Sequence, residues 1–415
     1  MNKEKNDNNL ILVTFARLPI FDAKKNLWGY ELVYLSCDDK YIAPSRQNQT
    51  MTADFAAGTS LAIEQMLDKG KKIMVNFSQQ NILDNLPYAL PPGRTVIKIT
   101  DPGPLDSLAP TLEKLKADGY QITVNWTHTT CQDIFEPADI ICQDISGMGV
   151  PDLDCIYTKT VPYGALLLAN RVQDQIGFDV CRRAGFSLFQ GAFFKQPEDV
   201  SVKKMLSATI SKFHLMEAME QKDPDFSKLA AAIQADVAIS YRLLSHLNSA
   251  SFGFRQKIDS IKDAITMLGW HNLKNWLRVV LLAEVSENKH ASELIFLSAQ
   301  RGKFLEQICQ DHDFWGFEPD SLSLLGIFSL LDALLNRPMG EIVKYLPLSD
   351  TLKGALCMED NNEYVPFLKL ARSFEEAEFD RSDAMMNQLG LDTTKVKLAY
   401  GGALDWANKF CEMQK

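Results

Sequence analysis

The chain changes its hydrophobic rhythm near residue 197, and no other feature of the sequence constrains the fold as strongly. Before that point, short runs rich in apolar and β-branched residues alternate with amphipathic stretches, a pattern typical of βα units. The predicted strands are ILVTFA, KIMVNFS, TVIKIT, YQITVNW, DIICQDIS and ALLLAN. Repeated βα units with buried strands predict a parallel sheet, either open or closed into a barrel.

The helices expected between these strands are less regular. FAAGTSLAIEQMLDKG and DSLAPTLEKLKADG are amphipathic, and both end in glycine, the usual residue just past a helix C-terminus. The stretch 145–164 is rich in glycine and proline and predicts no long helix. One crossover is therefore expected to be shortened there.

After residue 197 the strand signal disappears, and helices are predicted from Val200 almost to the end. Within IDSIKDAITML, four apolar residues at spacings of three, four and three form one stripe of a helix. These residues are Ile258, Ile261, Ile265 and Leu268. We predict a polar tail at 1–9, an α/β domain at 10–199 and an all-α domain at 200–415, with a junction marked by a proline and two acids.

Composition narrows the possible partners and the compartment. The formal net charge of -10 disfavours non-specific binding to nucleic acid or to anionic membranes. The eight cysteines include no CxxC pair, which argues against structural zinc and fits a reducing cytosol. The start, MNKEKNDNNL, lacks the apolar core of a signal peptide, and the longest apolar runs are too short to span a bilayer. We expect a cytoplasmic protein without membrane insertion or nucleic-acid binding.

One acid stands out in the first half, because Glu31 lies among large apolar residues in the strand-like stretch GYELVYLS. A buried carboxylate is costly unless it is paired or holds a metal. In a βα barrel the active site lies at the C-terminal ends of the strands. The polar residues expected at those ends are Glu31, Asn76, Lys98, Asp101, Asn125, Asp144, Gln173 and Gln190.

This set is poorly suited to a two-metal hydrolytic centre. Two divalent cations about 3.5–4 Å apart need several converging carboxylates. Here at most three acids stand among amides, and Lys98 would repel the cations. The residues alone favour polar side chains paired within a barrel mouth, with no metal and no cofactor. A working metal site that uses Glu31 is the alternative.

The second half offers no catalytic constellation by spacing. The dipeptide His312-Asp313 falls in a polar stretch between predicted helices, and His214, His246, His271 and His290 show no ligand-like spacing. Asp332, a lone acid in an apolar helix, predicts a cap or an ion-pair partner. The sequence also contains no GxSxG, P-loop or GxGxxG followed by a helix.

The first half resembles an EAL domain, a barrel that hydrolyses the second messenger cyclic di-GMP. ARLPIFDAKKNLWGYELVYLS is similar to the opening strand pair of that domain, with Glu31-Leu32-Val33 in place of the namesake Glu-Ala-Leu. IMVNFS resembles the second strand, with Asn76 at a metal-ligand position, and FQGAFFKQP resembles the closing signature that includes Gln190. The resemblance implies a TIM-like barrel over about residues 10–200.

The second half resembles an HDOD domain, a helical relative of the HD phosphohydrolases that lacks their metal ligands. The stretch 233–269 carries the Leu-Asn-Ser-Ala, Ser-Ile, Ala-Ile and Leu-Gly elements in order. LLGIFSLLDALLNRPMGEIVKYLPLS is similar to the segment seen when HDOD follows an EAL-like barrel. Ser329-Leu330 stands where an HD enzyme would have its His-Asp pair. An EAL–HDOD signalling protein is thus expected over nearly the whole chain.

Departures from the EAL pattern imply that the barrel is degenerate. Leu35 stands at the place of the substrate-contacting arginine, Lys98 at that of the third-strand Glu, and Asn125-Trp126 at that of the paired Asp. Cys142 replaces the catalytic Lys beside a retained Asp144, and the segment of the final Glu reads ANRVQ, ending in Gln173. Such losses act together on one metal site. The expected remnant of a ligand pocket is Glu31, Asn76, Asp101, Asp144 and Gln190.

Three functions follow as alternatives. The first is a non-enzymatic signalling adaptor, in which the inactive barrel is coupled to an HDOD domain that binds a kinase, a response regulator or another signalling protein. The second is a cyclic di-GMP receptor without turnover, and the third is a residual cyclic di-GMP phosphodiesterase. The sequence leaves open whether the chain forms a homodimer.

Overall fold

The computed structural model describes the strands of the first half and most of the helices of the second. The described residues are 14–35, 70–100, 105–126, 136–197, 212, 216, 219–220, 267, 269–285, 291–312, 316–346 and 348–412. The chain divides into two compact units. One comprises residues up to Phe193 together with Arg372–Gly401, and the other comprises Phe194–Ala371 together with Gly402–Lys415. The domain limits at 9/10 and 199/200 stay predictions.

Eight strands form a closed barrel in sequence order. They are β1 (Thr14–Asp22), β2 (Leu27–Leu35), β3 (Lys72–Phe77), β4 (Thr95–Ile99), β5 (Gln121–Asn125), β6 (Ile140–Asp144), β7 (Leu166–Asn170) and β8 (Leu188–Gln190). β1 runs antiparallel to both β2 and β8, and every other pair is parallel. The predicted barrel is confirmed; β8, only three residues long, was not among the strands predicted from periodicity.

Four helices of the first half are described: α1 (Gln79–Leu83), α2 (Leu105–Ala117), α3 (Val150–Thr160) and α4 (Gln175–Arg183). α2 confirms the helix predicted in DSLAPTLEKLKADG, and Gly119 behind it has a φ of 97°. The helix predicted in FAAGTSLAIEQMLDKG lies outside the described residues.

The prediction that 145–164 contains no long helix is wrong, because α3 runs for eleven residues within it. Its proline lies in the first turn, where the missing N–H costs nothing. The side chain of Asp152 accepts a hydrogen bond from the backbone N–H of Gly149 at 2.9 Å and caps the helix start. Gly164, with a φ of 67°, ends the short 3₁₀ turn that follows.

The barrel interior is layered, because side chains alternate between the two faces of each strand. A buried apolar layer consists of Ile20, Met74, Val96, Ile140, Leu168 and Leu188, with Cys142 next to them. The residues two positions further along β3, β4 and β8 share the inner face and are Asn76, Lys98 and Gln190. Glu31 is paired in register with Met74, and Asn76 with Lys98. The strand register therefore brings these polar residues together above the apolar layer.

The second half is helical throughout its described part, as predicted. Its helices are α5 (Trp270–Val285), α6 (Ala291–Asp311), α7 (Pro319–Phe328), α8 (Leu331–Leu335), α9 (Met339–Ile342), α10 (Asp350–Leu356), α11 (Val365–Glu375), α12 (Phe379–Leu389) and α13 (Thr393–Glu412). The helix predicted over IDSIKDAITML lies almost wholly outside the described residues.

α6 and α7 pack closely through Gly302 and Gly326. A Cβ atom on Gly326 would lie 2.5 Å from the backbone nitrogen of Gly302, so the crossing requires glycine. No single helix in the described ranges is long and apolar enough to cross a membrane. Two segments, Pro319–Leu335 and Met339–Tyr345, reach that length and composition only together, and they are bent by 110° relative to each other.

Candidate functional site

Glu31 lies at the centre of a polar cluster inside the barrel and is only 4% exposed. Its Oε1 accepts hydrogen bonds from Lys98 Nζ at 2.8 Å and from Asn76 Nδ2 at 3.2 Å. Its Oε2 accepts one from Gln190 Nε2 at 3.1 Å. Residues from β2, β3, β4 and β8 thus converge on one buried carboxylate. We call Glu31, Asn76, Lys98 and Gln190 the Glu31 cluster.

The charges in the Glu31 cluster stabilise each other. Burial alone would raise the pKa of Glu31, but the charge and hydrogen bond of Lys98 and the two amide donors lower it below its usual value. Burial would likewise lower the pKa of Lys98, yet the facing Glu31 carboxylate raises it. The pair is therefore ionised at neutral pH, with one negative and one positive charge.

Cys142 lies beside this pair on β6 and is itself buried. Burial raises the pKa of its thiol to about 11, although Lys98 acts in the opposite direction. The thiol is thus protonated and neutral at physiological pH. It is not a nucleophile in this environment.

The remaining predicted site residues do not join the Glu31 cluster. Asp144, at the end of β6, is exposed, with Oδ2 3.2 Å from Arg171 NH1 and Oδ1 accepting the backbone N–H of Ser146 at 2.9 Å. Asn125 and Gln173 are exposed as well. Asp101 lies outside the described residues. The structure thus brings Glu31, Asn76 and Gln190 together with Lys98, and leaves Asp144 apart.

The described residues of the Glu31 cluster do not fit a divalent cation. The family resemblance implies metal ligands at Glu31 and Asn76, but a lysine ammonium touches the carboxylate that would bind the ion. Glu31 is the single acid among the four residues, and two divalent cations need several. Throughout the described ranges, no group of three or more His, Cys, Asp and Glu side chains is placed to hold a metal ion.

Comparison with known proteins agrees with the two-part architecture. Residues 207–313 match the family model of the HDOD domain. The first half forms the closed barrel described above, and the described part of the second half, which includes part of the matched segment, is helical.

Two curated relatives are similar over nearly the whole chain. Uncharacterized protein YuxH of Bacillus subtilis strain 168 is 28% identical over 96% of this chain and 99% of its own length. Cyclic di-GMP phosphodiesterase CdgJ of Vibrio cholerae is 28% identical over 98% of this chain and 94% of its own length.

Two solved structures are similar at lower identity. An EAL domain protein from Listeria monocytogenes EGD-e is 18% identical, with a TM-score of 0.37, over 44% of this chain and 87% of that one. The Bacillus subtilis YkuI protein, which has an EAL domain and was solved with c-di-GMP and calcium, is 17% identical, with a TM-score of 0.36, over 63% and 73% of the two chains.

A second charged cluster lies in and beside the HDOD domain, where α5 meets α6 and α7. The ring of His271 places Nε2 3.0 Å from Glu306 Oε1 and Nδ1 3.0 Å from Asp320 Oδ1. Lys274 forms an ion pair with Asp320, and Lys303 lies 3.1 Å from Glu306. The two carboxylates, Asp320 first, raise the pKa of His271 to about 9, so its ring is protonated at neutral pH.

The helix α5 also carries Arg278, whose guanidinium is fully buried. Arg278 donates two hydrogen bonds to the carboxylate of Glu220, both at 2.8 Å, and a third to Asn275 Oδ1 at 2.6 Å. Such bidentate pairing compensates both charges. Sequence spacing gave no signal for this pairing, because Arg278 and Glu220 lie 58 positions apart.

The HD-like positions have ordinary structural roles. His312 lies in the turn after α6, with Nδ1 3.0 Å from the carbonyl oxygen of Ile308, whereas Asp313 lies outside the described residues. Ser329 accepts a hydrogen bond from the buried Arg301 at 2.7 Å and donates one to the carbonyl of Gly326. The carboxylate of Asp332 accepts the backbone N–H of Ala333 at 2.9 Å. Asp332 lies within the first turn of α8, whose N-cap is Leu330 without a side-chain cap hydrogen bond, so this contact is not the predicted cap. The alternative, an ion-pair partner, stays a prediction.

Proposed function

We propose that this EAL–HDOD chain is a cyclic di-GMP-related signalling protein whose barrel does not hydrolyse the nucleotide. One observation carries the proposal: the ammonium of Lys98 lies 2.8 Å from Glu31, the carboxylate at the namesake position. A metal ion there would have to displace a buried cation that is already paired. Without the metal, water is not activated for attack on a phosphodiester.

The signalling context comes from the relatives. CdgJ, similar over almost the full length, is named a cyclic di-GMP phosphodiesterase. The segment 207–313, which matches the HDOD family model, follows the barrel in the sequence. We infer that the chain acts as an adaptor, with the HDOD domain binding a signalling protein of the kinase or response-regulator type.

A receptor without turnover is the second candidate, and one observation favours it. Gln190 is 3% exposed, and its Oε1 has no hydrogen-bond partner among the described residues. It is a buried, unpaired acceptor, which the N–H of a ligand, such as the edge of a guanine base, would satisfy. The name of CdgJ favours a third candidate, a residual phosphodiesterase.

The test is to incubate the purified full chain with cyclic di-GMP and Mg²⁺ or Mn²⁺ and to follow the linear dinucleotide chromatographically. Titration calorimetry on the same sample, with metal and then with EDTA, measures binding separately. We expect no linear product. Saturable binding unaffected by EDTA would establish the receptor, whereas metal-dependent product that disappears in Glu31→Gln would overturn the proposal in favour of the enzyme.

A further inference from the structure

Glu31 is a buried carboxylate, and the hydration that it loses on burial must be compensated. A carboxylate that is 4% exposed inside a barrel needs a cation or several donors to offset lost hydration. Metal-dependent barrels meet such a demand with a bound ion, which makes the stability of the mouth depend on ion concentration. In this chain the protein's own side chains, Lys98, Asn76 and Gln190, compensate the carboxylate.

Lys98 is placed to act as that cation by the strand register. It follows the core residue Val96 by two positions, so its stem rises from the apolar layer while its head reaches the carboxylate. The side chain is 9% exposed, and the distance of 2.8 Å from its Nζ to Glu31 Oε1 is that of a charge-assisted hydrogen bond. Positive and negative charges balance within the Glu31 cluster.

The orientation of the two amide side chains fits a neighbouring ammonium and not a bound metal. Asn76 and Gln190 both direct their N–H groups at Glu31, so the carboxylate accepts three N–H donors in all. A bound metal would require the amide oxygens instead. The Oε1 of Gln190 faces no donor among the described residues, and it would serve as an oxygen ligand for a cation if the lysine were removed.

We propose that the Lys98 ammonium is a tethered substitute for a metal ion, and that it makes the fold of the barrel mouth independent of divalent cations. Removal of Lys98 leaves a site made of one carboxylate and two amides, which accepts an added cation. The inference concerns how the mouth is held, so it stands even if the barrel binds a nucleotide.

Thermal unfolding of the full chain tests this, in EDTA and then with excess Mg²⁺, Mn²⁺ or Ca²⁺. We expect the Tm of the native chain to be the same in all four conditions. Lys98→Met leaves the carboxylate uncompensated, so its Tm in EDTA falls by on the order of 10 °C and rises again with added cation. In the double variant Glu31→Gln, Lys98→Met the demand is gone, so the Tm returns towards the native value and no cation changes it.

Two results would overturn the inference. One is a native Tm that rises with a divalent cation and loses this rise in Glu31→Gln, since a metal would then bind beside Lys98. The other is a Lys98→Met variant that is as stable as the native chain and indifferent to cations. If Lys98→Met does not fold, the double variant and the conservative Lys98→Arg decide, because both keep the charge balance and should fold in EDTA.

Discussion

Glu31 and Lys98 face each other across a strand that separates them. Glu31 belongs to β2 and Lys98 to β4, with β3 between them in the barrel. Their side chains nevertheless meet at 2.8 Å, because both are buried in the barrel interior and the long Lys98 side chain reaches past β3. The contact joins residues 67 positions apart in the chain and closes the polar layer over the apolar one. Loss of this contact should therefore destabilise β2, β3 and β4 together.

The first prediction concerns Glu31→Gln, which leaves the Lys98 ammonium buried without a counter-charge. Breaking a buried pair in this way typically costs about 3–5 kcal/mol of unfolding free energy. Urea unfolding, read together with hydrogen exchange of the β2 and β4 amides, measures the loss. Asp144→Asn is the matched control, since the exposed pair of Asp144 with Arg171 is worth less than about 1 kcal/mol. Equal effects from the two variants would contradict the assigned role of Glu31.

The second prediction concerns His271. Its pKa is raised from 6.5 to about 9 by Asp320 and Glu306, so its protonated ring contributes stability that is fully present below pH 6.5. That contribution is lost as the pH rises through about 9. Because the ring is 43% exposed, solvent screening limits it to about 1 kcal/mol.

Histidine-selective NMR over pH 5 to about 10 measures this pKa directly. The His271→Gln variant identifies the resonance and keeps a hydrogen-bond donor for the carboxylates. Lys274 and Lys303 face the same carboxylates from α5 and α6. A midpoint near 6.5 would show that the two acids do not contact the ring in solution.

The third prediction concerns the close crossing of α6 and α7. Gly326→Ala places a methyl group against the backbone of Arg301 and Gly302, which forces the helices apart and costs about 1–3 kcal/mol. Gly340→Ala in α9 meets no atom within 4 Å, and the better helix propensity of alanine leaves stability unchanged or up to about 1 kcal/mol higher. Thermal unfolding of both variants makes the comparison. Similar behaviour of the two would exclude a tight crossing.

Much of the barrel could be predicted from short runs of apolar and β-branched residues. The stretches KIMVNFS, TVIKIT, YQITVNW, DIICQDIS and ALLLAN each contain one observed strand, and ILVTFA overlaps the start of β1. β8 was not predicted in this way because its three residues are too few to form such a run. The helix α3 was missed for another reason. The glycine and proline content of 145–164 disfavours a helix, but a proline in the first turn is compatible with one.

Only part of the candidate site could be predicted from the sequence. Its strand-end positions identified Glu31, Asn76 and Gln190, and Lys98 was expected to repel cations there. That Lys98 pairs directly with Glu31, and that Asp144 turns outward to Arg171, depends on register and side-chain direction. The network of His271, Glu306 and Asp320 was invisible because three helices supply it. Contacts between distant elements carry no local periodicity.

The most direct measurement is anomalous diffraction from crystals of the full chain grown with MnCl₂. The account predicts no manganese peak within the barrel mouth and Lys98 Nζ in hydrogen-bond contact with Glu31. A manganese ion coordinated by Glu31, with the Lys98 side chain displaced, would contradict it.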